Sequence, residues 1–260
     1  MSVLEETKFL MKKYKIKANK NLGQNFLIDD TVIEDIVNGA DIKKDDLVIE
    51  IGPGLGSMTA LLVKKAKKVI CVELDKKMIK ILNDRFIAYN NIELINEDVL
   101  KLDLNKLIKQ EKEQNEIKEV KIVANLPYYI TTPIIMKLLE ENLDIQSITV
   151  MIQKEVADRL IETPGGKNTG AITYTVYYYC ESEKIMEVPN SSFIPEQEVT
   201  SEVIKMTLRN KPAVDIENTK VFMSKQEGIE ILKKLNLDEN VRAENLTLQD
   251  FANIAKIICK

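Results

Sequence analysis

The 260-residue chain carries 37 basic and 41 acidic residues, has a formal net charge of −4 and is 45% hydrophobic. This length fits one full α/β domain with a small appendage, and no apolar run approaches the roughly 20 residues that cross a bilayer. The absence of histidine excludes Ser-His-Asp and Cys-His nucleophilic machinery and histidine-ligated metals. Because the N-terminus lacks the apolar core of a signal peptide, we expect a cytoplasmic protein.

The first 30 residues are predicted to form a basic N-terminal arm. Its five clustered lysines are Lys12, Lys13, Lys15, Lys17 and Lys20, and no acidic residue interrupts residues 9–27. A solvated helix end, a mobile arm or a contact with RNA phosphate would each explain this cluster. The negative net charge of the whole chain counts against a nucleic-acid binder, because such proteins use Lys and Arg to bind phosphate.

Three cysteines, Cys71, Cys180 and Cys259, lie far apart in the sequence. They form no Cys-x-x-Cys pair, which is the spacing typical of zinc sites and redox motifs. We therefore expect free, buried thiols and no metal site.

Short apolar runs alternate with helical patterns through the first two hundred residues. The predicted strands are 47–51, 69–73, 92–95, 120–124 and 147–152, and the predicted helices are 57–65 and 76–86. A solvated helix and loop is expected over 109–121. This alternation predicts an α/β fold, with a parallel sheet covered by helices on both faces.

The pattern changes in the last 90 residues. Residues 171–180 are rich in Tyr, Thr and Val, and 199–208 are again strand-like, so an antiparallel pair at the sheet edge is expected. Lys211-Pro212 breaks this pattern, and short helices are predicted over 226–235 and 247–258. The sequence thus predicts a domain of residues 1–210 and a small helical domain of residues 211–260.

A glycine cluster follows the first predicted strand, in Gly52-Pro53-Gly54-Leu55-Gly56. Closely spaced glycines after a strand allow the backbone to approach a ligand, and we assign Gly52 and Gly54 to cofactor binding. The spacing differs from the Gly-x-Gly-x-x-Gly of dinucleotide enzymes. It suits a cofactor whose adenosine carries a sulfonium amino acid.

Two acidic residues follow the next two strands. Glu73 lies about 20 residues after the glycines, where a carboxylate accepts hydrogen bonds from ribose hydroxyls. Asp98 follows the third strand, where its carboxylate is placed to accept the amine of the cofactor's adenine.

Asn125-Leu126-Pro127-Tyr128 directly follows the fourth strand, at the end of the sheet where ligands bind. The Asn125 side-chain carbonyl and the backbone carbonyl of Leu126 or Pro127 are positioned to accept the two N–H groups of an adenine amine. This directs the nitrogen lone pair at a sulfonium methyl group, while Tyr128 stacks on the ring. No general base is needed before attack, which agrees with the absence of histidine.

These motifs together resemble the bacterial small-subunit ribosomal RNA adenine dimethyltransferases. The resemblance runs from about Lys20 to Leu208 and resumes from Ile229 to Ile258. Its motifs are 21–27 (Asn-Leu-Gly-Gln-Asn-Phe-Leu), 50–54 (Glu-Ile-Gly-Pro-Gly), 125–130 (Asn-Leu-Pro-Tyr-Tyr-Ile), 153–156 (Gln-Lys-Glu-Val), 193–195 (Phe-Ile-Pro) and 241–246 (Val-Arg-Ala-Glu-Asn-Leu).

The resemblance implies a Rossmann-like class I S-adenosylmethionine methyltransferase fold and S-adenosylmethionine as cofactor. The implied cofactor contacts are Asn25, Leu27, Gly52, Glu73, Asp98 and Asn125. The implied catalytic residues are Asn125, Pro127 and Tyr128, with Phe193 as a second aromatic surface for a base moved out of its stack. The implied reaction adds two methyl groups to each of two adjacent adenines in a hairpin loop of 16S rRNA, on an immature 30S subunit, by a monomer.

The chain departs from the family in one segment. Family members usually carry consecutive arginines and lysines early in the C-terminal domain, whereas Val214–Glu227 leads almost directly into Ile229-Glu230-Ile231-Leu232. We interpret this as a deletion that weakens ribosome binding and alters the C-terminal domain. The cofactor and catalytic motifs are unaffected.

Two alternatives remain open beside 16S rRNA dimethylation. One is the related 23S rRNA adenine methyltransferase class, which shares the Asn-Leu-Pro-Tyr motif. The other is a ribosome-assembly factor that binds RNA with weak catalysis, an alternative that the deletion supports. A nicotinamide dehydrogenase is disfavoured by the glycine spacing.

Overall fold

A computed structural model describes residues 1–19, 22–214, 225–238, 240–241 and 245–258. The chain groups into two compact units. The first comprises Met1–Ala157 and Glu183–Leu208, and the second comprises Asp158–Ser182 and Arg209–Lys260. The second unit therefore takes in a segment that lies before residue 211 in the sequence.

The part of the chain that the structure describes contains nine strands, which form two sheets. They are β1 Phe26–Leu27, β2 Leu47–Ile51, β3 Lys68–Val72, β4 Ile92–Ile95, β5 Val120–Asn125, β6 Ser147–Gln153, β7 Cys180–Val188, β8 Phe193–Ile194 and β9 Ser201–Leu208. The main sheet has seven strands in the order β4-β3-β2-β5-β6-β9-β7, and β1 pairs with β8. The first five strands of that order run parallel, and β9 runs antiparallel to β6.

Ten helices accompany the strands in the described residues. They are α1 Val3–Lys13, α2 Asp30–Gly39, α3 Thr59–Lys65, α4 Lys76–Arg85, α5 Leu104–Asn115, α6 Thr131–Glu140, α7 Lys154–Ile161, α8 Ala171–Tyr179, α9 Lys225–Lys234 and α10 Leu248–Ile258. The predicted α/β class is confirmed, and the five predicted parallel strands lie within one or two residues of their observed bounds. None of the described helices is long and apolar enough to cross a membrane.

Buried strands explain why the sheet forms where the apolar runs predicted it. All five residues of β2 are buried, and so are the first five of β5, as expected for parallel strands covered on both faces. In register, Ile51 pairs with Val72 on one side and with Ala124 on the other. The loops after β2, β3 and β5 therefore leave the sheet at the same edge.

The predicted strand over 171–180 is wrong, because Ala171–Tyr179 forms α8. Thr173 and Val176 are buried at helical spacing, and the Thr173 hydroxyl accepts the Gly170 N–H at 3.0 Å, which caps the first turn. Capping and burial thus outweigh the β-propensity of Tyr, Thr and Val. The antiparallel pairing expected for this segment does not form, and β9 pairs with β6.

The N-terminal region contains a helix in place of a continuous arm. Ser2 and Glu5 form a capping box at the start of α1, with Ser2 N donating to Glu5 Oε2 at 2.9 Å. Leu10 of α1 packs with Phe26 and Leu55 in a small core cluster. Lys12 and Lys13 occupy the last turn of the helix, while Lys20 lies outside the described residues.

The second unit holds its helices together by a polar and an aromatic contact. The Tyr174 hydroxyl donates to the Leu246 carbonyl at 2.6 Å, and its ring meets Phe251 edge-to-face at 4.7 Å. The predicted capping pair is confirmed, since Asp250 N donates to Thr247 Oγ1 at 3.1 Å. Most of the predicted deletion segment and residues 242–244 of the C-terminal motif lie outside the described residues.

Cys71 and Cys180 are free and buried, as predicted, whereas Cys259 lies outside the described residues.

Candidate active site

A cavity opens at the carboxyl edge of the main sheet, between the loops that follow β2 and β5. The chain continues from β2 through β3 to β4 on one side of the sheet and returns to β5 on the other. Ligands of open α/β sheets bind at such a switch point. The cavity has about 900 Å³ of empty volume, including space open to solvent.

The cavity brings together eight of the ten predicted site residues. Those lining it are Asn25, Gly52, Gly54, Glu73, Asp98, Asn125, Pro127 and Tyr128. They come from five segments of the chain that are distant in sequence and adjacent in the fold. Three carboxylates, of Glu73, Glu97 and Asp98, lie in its lining, and none of the described lining residues is Lys or Arg.

Two glycines of the loop after β2 have separate structural roles. Gly52 has a φ of +68°, and a Cβ built there would come no closer than 3.9 Å to any atom, so the loop leaves space beside the Asn125 backbone. Gly56, with a φ of +84°, would place a Cβ 2.7 Å from the Phe86 ring. Gly52 thus keeps the cavity floor open, whereas Gly56 allows the loop to pack on α4.

Glu73 is held at the cavity by backbone donors. Its Oε1 accepts the Asp75 N–H at 2.8 Å and its Oε2 accepts the Gly54 N–H at 3.2 Å. Burial raises the pKa of Glu73, and the backbone hydrogen bonds oppose that rise. The carboxylate is therefore tied to the glycine loop at the position where ribose hydroxyls are expected.

Asp98 also lines the cavity and is fixed in a turn after β4. Its Oδ1 accepts the Leu100 N–H at 3.0 Å. The neighbouring Asn96 donates from Nδ2 to the Glu73 carbonyl at 2.8 Å, which connects the end of β4 to the end of β3. Both predicted acidic residues are thus positioned by local hydrogen bonds.

Asn125 presents an acceptor to the cavity. Its Nδ2 donates to the Asn25 carbonyl at 3.4 Å, which leaves Oδ1 as the group that faces a ligand. The Pro127 carbonyl already accepts two hydrogen bonds, from Ile130 N at 3.2 Å and from Thr131 Oγ1 at 3.1 Å. Among the described residues no group donates to the Leu126 carbonyl. Of these two backbone carbonyls, that of Leu126 is therefore the one that accepts no hydrogen bond from the described residues.

Tyr128 is half-buried at the cavity wall, and its hydroxyl lies 2.7 Å from Ser201 Oγ. Burial raises the pKa of Tyr128, so the phenol is protonated at neutral pH. The ring is held at its hydroxyl end and presents an aromatic surface beside Asn125.

Two predicted residues do not line this cavity. Leu27 lines a smaller adjoining cavity together with Gly52 and Asn125. Phe193 is 2% exposed and belongs to the hydrophobic core, where β8 pairs it with Leu27. A ring enclosed in the core cannot stack on a base, so the expected second aromatic surface is absent at Phe193 in this conformation.

Tyr129, Gln24 and Gln197 are among the lining residues that sequence reasoning did not assign to the site. Tyr129 is 60% exposed and directly follows the Asn-Leu-Pro-Tyr motif, a position that offered a signal. Gln24, within the motif of residues 21–27, donates to Asp75 Oδ2 at 3.0 Å. Gln197 comes from the loop between β8 and β9, and no sequence pattern marks it.

The groups that line the cavity fit S-adenosylmethionine. Carboxylates without basic neighbours favour a ligand with sulfonium and ammonium charges over one with a pyrophosphate. The glycine loop leaves room for a ligand, and Glu73 is placed for a ribose. The described residues contain no cluster of metal-binding side chains.

Comparison with known proteins gives a consistent result. The family model described as "Ribosomal RNA adenine dimethylase" matches residues 15–256. Ribosomal RNA small subunit methyltransferase A of Alkaliphilus metalliredigens is 44% identical over 96% of this chain and 95% of that protein. The protein of the same name from Clostridioides difficile is 41% identical over 97% of this chain and 94% of that protein.

Two solved structures share the fold. A dimethyladenosine transferase from Plasmodium falciparum superposes with a TM-score of 0.69 at 26% identity, over 87% of this chain and 94% of that chain. The 23S rRNA methyltransferase ErmE superposes with a TM-score of 0.67 over 91% of this chain and all of that chain, and its 20% identity shows the fold alone. With this match along nearly its whole length and a cavity suited to S-adenosylmethionine, the chain belongs to the ribosomal RNA adenine dimethylase family of S-adenosylmethionine-dependent rRNA methyltransferases.

Proposed function

We propose that this enzyme dimethylates the N6 amines of two adjacent adenines in a hairpin loop of 16S rRNA, on immature 30S subunits in the cytoplasm, as a monomer. The observation that carries the proposal is the pair of acceptors, Asn125 Oδ1 and the Leu126 carbonyl, at the edge of a carboxylate-lined cavity. The names of the relatives that match nearly the full chain support the small subunit as substrate.

The reaction follows from these groups. S-adenosylmethionine, when bound, supplies an electrophilic methyl group on its sulfonium. Asn25, Gly52, Gly54, Glu73 and Asp98 would hold it, with Leu27 supporting the wall. Asn125 and Leu126 accept the two amine hydrogens and so orient the nitrogen lone pair, and Tyr128 stacks on the ring. Pro127 contributes rigidity, since its carbonyl is engaged by Ile130 and Thr131.

We assign this chemistry to residues 1–210 and a supporting role in RNA binding to residues 211–260. The alignment with the A. metalliredigens protein extends over 276 positions but uses 96% of this 260-residue chain. That relative thus has residues without a counterpart here, as the deletion inferred from the sequence requires.

The test is incubation with labelled S-adenosylmethionine and either undermethylated 30S particles or 50S particles, followed by mapping of the modified nucleotides. We expect two adjacent dimethyladenines in 16S rRNA. Modification of 23S rRNA would favour the large-subunit alternative. Binding of cofactor and 30S particles without methyl transfer would favour the assembly factor.

A further inference from the structure

Gln197 lines the cavity and takes no part in the reaction proposed for the other lining residues. It lies in the loop between β8 and β9 and is 7% exposed. Its backbone N–H donates to the Asn190 carbonyl at 3.3 Å, and its side-chain Oε1 accepts a hydrogen bond from Ser201 Oγ at 3.0 Å. Both ends of the residue are therefore anchored.

The hydrogen-bond chain that reaches Gln197 has one direction. An amide oxygen only accepts, so Ser201 must donate its single hydroxyl hydrogen to Gln197. Ser201 Oγ, 2.7 Å from the Tyr128 hydroxyl, must then accept from it. The chain runs from the Tyr128 O–H through Ser201, which is fully buried in β9, to Gln197 Oε1.

This direction fixes the orientation of the Gln197 amide. With Oε1 committed to Ser201, the NH2 group is the remaining polar end. The amide nitrogen has no hydrogen-bond partner among the described residues. It is also not fully buried, in contrast to the buried polar atoms that lack a partner. The amide NH2 therefore opens into the cavity that the residue lines, as a donor next to Tyr128.

We propose that Gln197 is a specificity-determining residue that donates from Nε2 to an unprotonated ring nitrogen of the target adenine, with Ser201 as the positioning residue between Gln197 and Tyr128. The inference rests on the function proposed above. Asn125 and Leu126 accept from the exocyclic amine, and Gln197 adds a donor for a ring position that only accepts. Donors and acceptors together match the alternating edge of adenine. A base whose facing ring nitrogen carries a hydrogen would leave this donor unsatisfied.

The test compares Gln197→Glu with Gln146→Glu, which makes the same change at an exposed glutamine outside the cavity. Gln197→Glu keeps the acceptor for Ser201 and replaces the donor with a carboxylate oxygen. We expect kcat/KM for methyl transfer to undermethylated 30S particles to fall about 10-fold or more. Affinity for S-adenosylmethionine, measured by calorimetry, should stay within about twofold, as for the control.

A pH series separates recognition from a structural effect. The introduced carboxyl regains a hydrogen when it is protonated, so the loss of kcat/KM in Gln197→Glu relative to wild type should shrink as pH falls.

Ser201→Ala and Tyr128→Phe should each lower kcat. The kcat of the double variant should be little lower than that of the worse single variant, because both substitutions break one hydrogen-bond chain. Thermal melting of each variant checks folding, and Gln197→Met gives an uncharged second measure of the missing donor.

The inference is overturned if Gln197→Glu matches Gln146→Glu, if its deficit is independent of pH, or if cofactor affinity falls as much as kcat/KM. Failure of the wild-type enzyme to methylate 30S particles would contradict the proposed function instead. The two failures are therefore distinguishable.

Discussion

At the scale of single residues, the Asn125 side chain combines two tasks that its amide group is suited to perform. Nδ2 donates to the Asn25 carbonyl at 3.4 Å, which links the catalytic loop to the segment before β1. Oδ1 is then the amide atom that remains available to a ligand in the cavity. The donor of the Asn125 amide anchors the side chain while its acceptor stays available, because an amide carries a donor and an acceptor at fixed separation.

Asn125→Ala should lower the turnover for methyl transfer to 30S particles by roughly 100-fold or more, because the reacting amine loses one of its two acceptors. Affinity for S-adenosylmethionine should fall much less. Single-turnover kinetics and calorimetry measure the two effects. Asn83→Ala, at an exposed asparagine on α4, is the matched control and should leave both unchanged. A near-normal single-turnover rate in Asn125→Ala would contradict the mechanism.

Glu50 is a second residue whose surroundings determine its chemistry. It lies fully buried in β2, where Thr59 and Cys71 both donate hydrogen bonds to its Oε2 and no described group forms a hydrogen bond with its Oε1. Burial raises the pKa of Glu50 from 4.5 to about 7. The folded protein therefore keeps this proton over a pH range in which the unfolded chain releases it.

The raised pKa gives a sign for the pH dependence of stability. Between pH 4.5 and about 7 the folded state binds more protons than the unfolded state, so the free energy of unfolding falls as pH rises through this window. A glutamine at position 50 cannot titrate, so the free energy of unfolding of Glu50→Gln should lack this decrease. The decrease is about 3 kcal/mol between pH 4.5 and about 7. Urea unfolding of both proteins from pH 5 to pH 8 measures the difference.

The control for this prediction is Glu34→Gln, at an exposed position on α2. It should follow the wild-type curve throughout. Parallel curves for wild type and Glu50→Gln would show that Glu50 titrates near its ordinary pKa.

At the scale of elements, a buried ion pair connects β5 to the turn before β2. Lys121 and Asp46 are both buried, with Nζ 2.9 Å from Asp46 Oδ2, and Nζ also donates to the Asp41 carbonyl at 2.6 Å. Neither strand can shift without separating these charges in a nonpolar environment. This contact holds in register the two strands whose carboxyl ends form the active site.

Lys121→Met should lower the free energy of unfolding by about 3–5 kcal/mol, because it keeps much of the side-chain volume but leaves Asp46 buried without its cation. Denaturant unfolding measures the change. Lys118→Met is the matched control, since Lys118 and Asp45 lie 3.7 Å apart with side chains 71% and 48% exposed. The control should change stability by less than about 1 kcal/mol. Equal effects of the two substitutions would show that the buried pair contributes no more than the exposed one.

At the scale of the whole molecule, the chain must reach a polyanionic substrate with a net charge of −4. The N-terminal lysines are the local exception. Lys12, Lys13, Lys15 and Lys17 are all exposed, and α1 fixes the first two at a helix end. Because the sequence predicts a deletion of the basic segment usual in the family, these side chains are the ones that we expect to contact rRNA phosphate.

Replacing these four lysines with Gln should weaken binding to immature 30S particles and flatten its salt dependence. Each lysine that binds a phosphate contributes roughly 0.7–0.9 to the logarithmic salt slope, so the slope should fall by about 3 if all four bind. Binding across a salt series is the measurement. A control that replaces the exposed Lys64, Lys101, Lys106 and Lys109 removes the same charge elsewhere. If both quadruple variants have the same slope, the N-terminal lysines are a solvated charge cluster and RNA binds another surface.

The parallel strands and most of the candidate site could be predicted from the sequence alone. Apolar runs of four to six residues identified the five parallel strands, because strands buried on both faces leave an uninterrupted hydrophobic pattern. The glycine loop, Glu73, Asp98 and the motif from Asn125 to Tyr128 could be placed together from their order alone. Each follows a parallel strand, and the carboxyl ends of those strands meet at one edge of the sheet.

Tertiary structure decided the remaining features. Residues 171–179 became a helix because burial of Thr173 and Val176 and the cap at Gly170 outweigh local β-propensity. Phe193 entered the core because β8 pairs with β1, a contact between residues more than 160 positions apart. The chain from Tyr128 through Ser201 to Gln197 joins two distant loops by hydrogen bonds between side chains. Sequence periodicity records which face of an element is buried, but it carries no information about which distant side chains meet there.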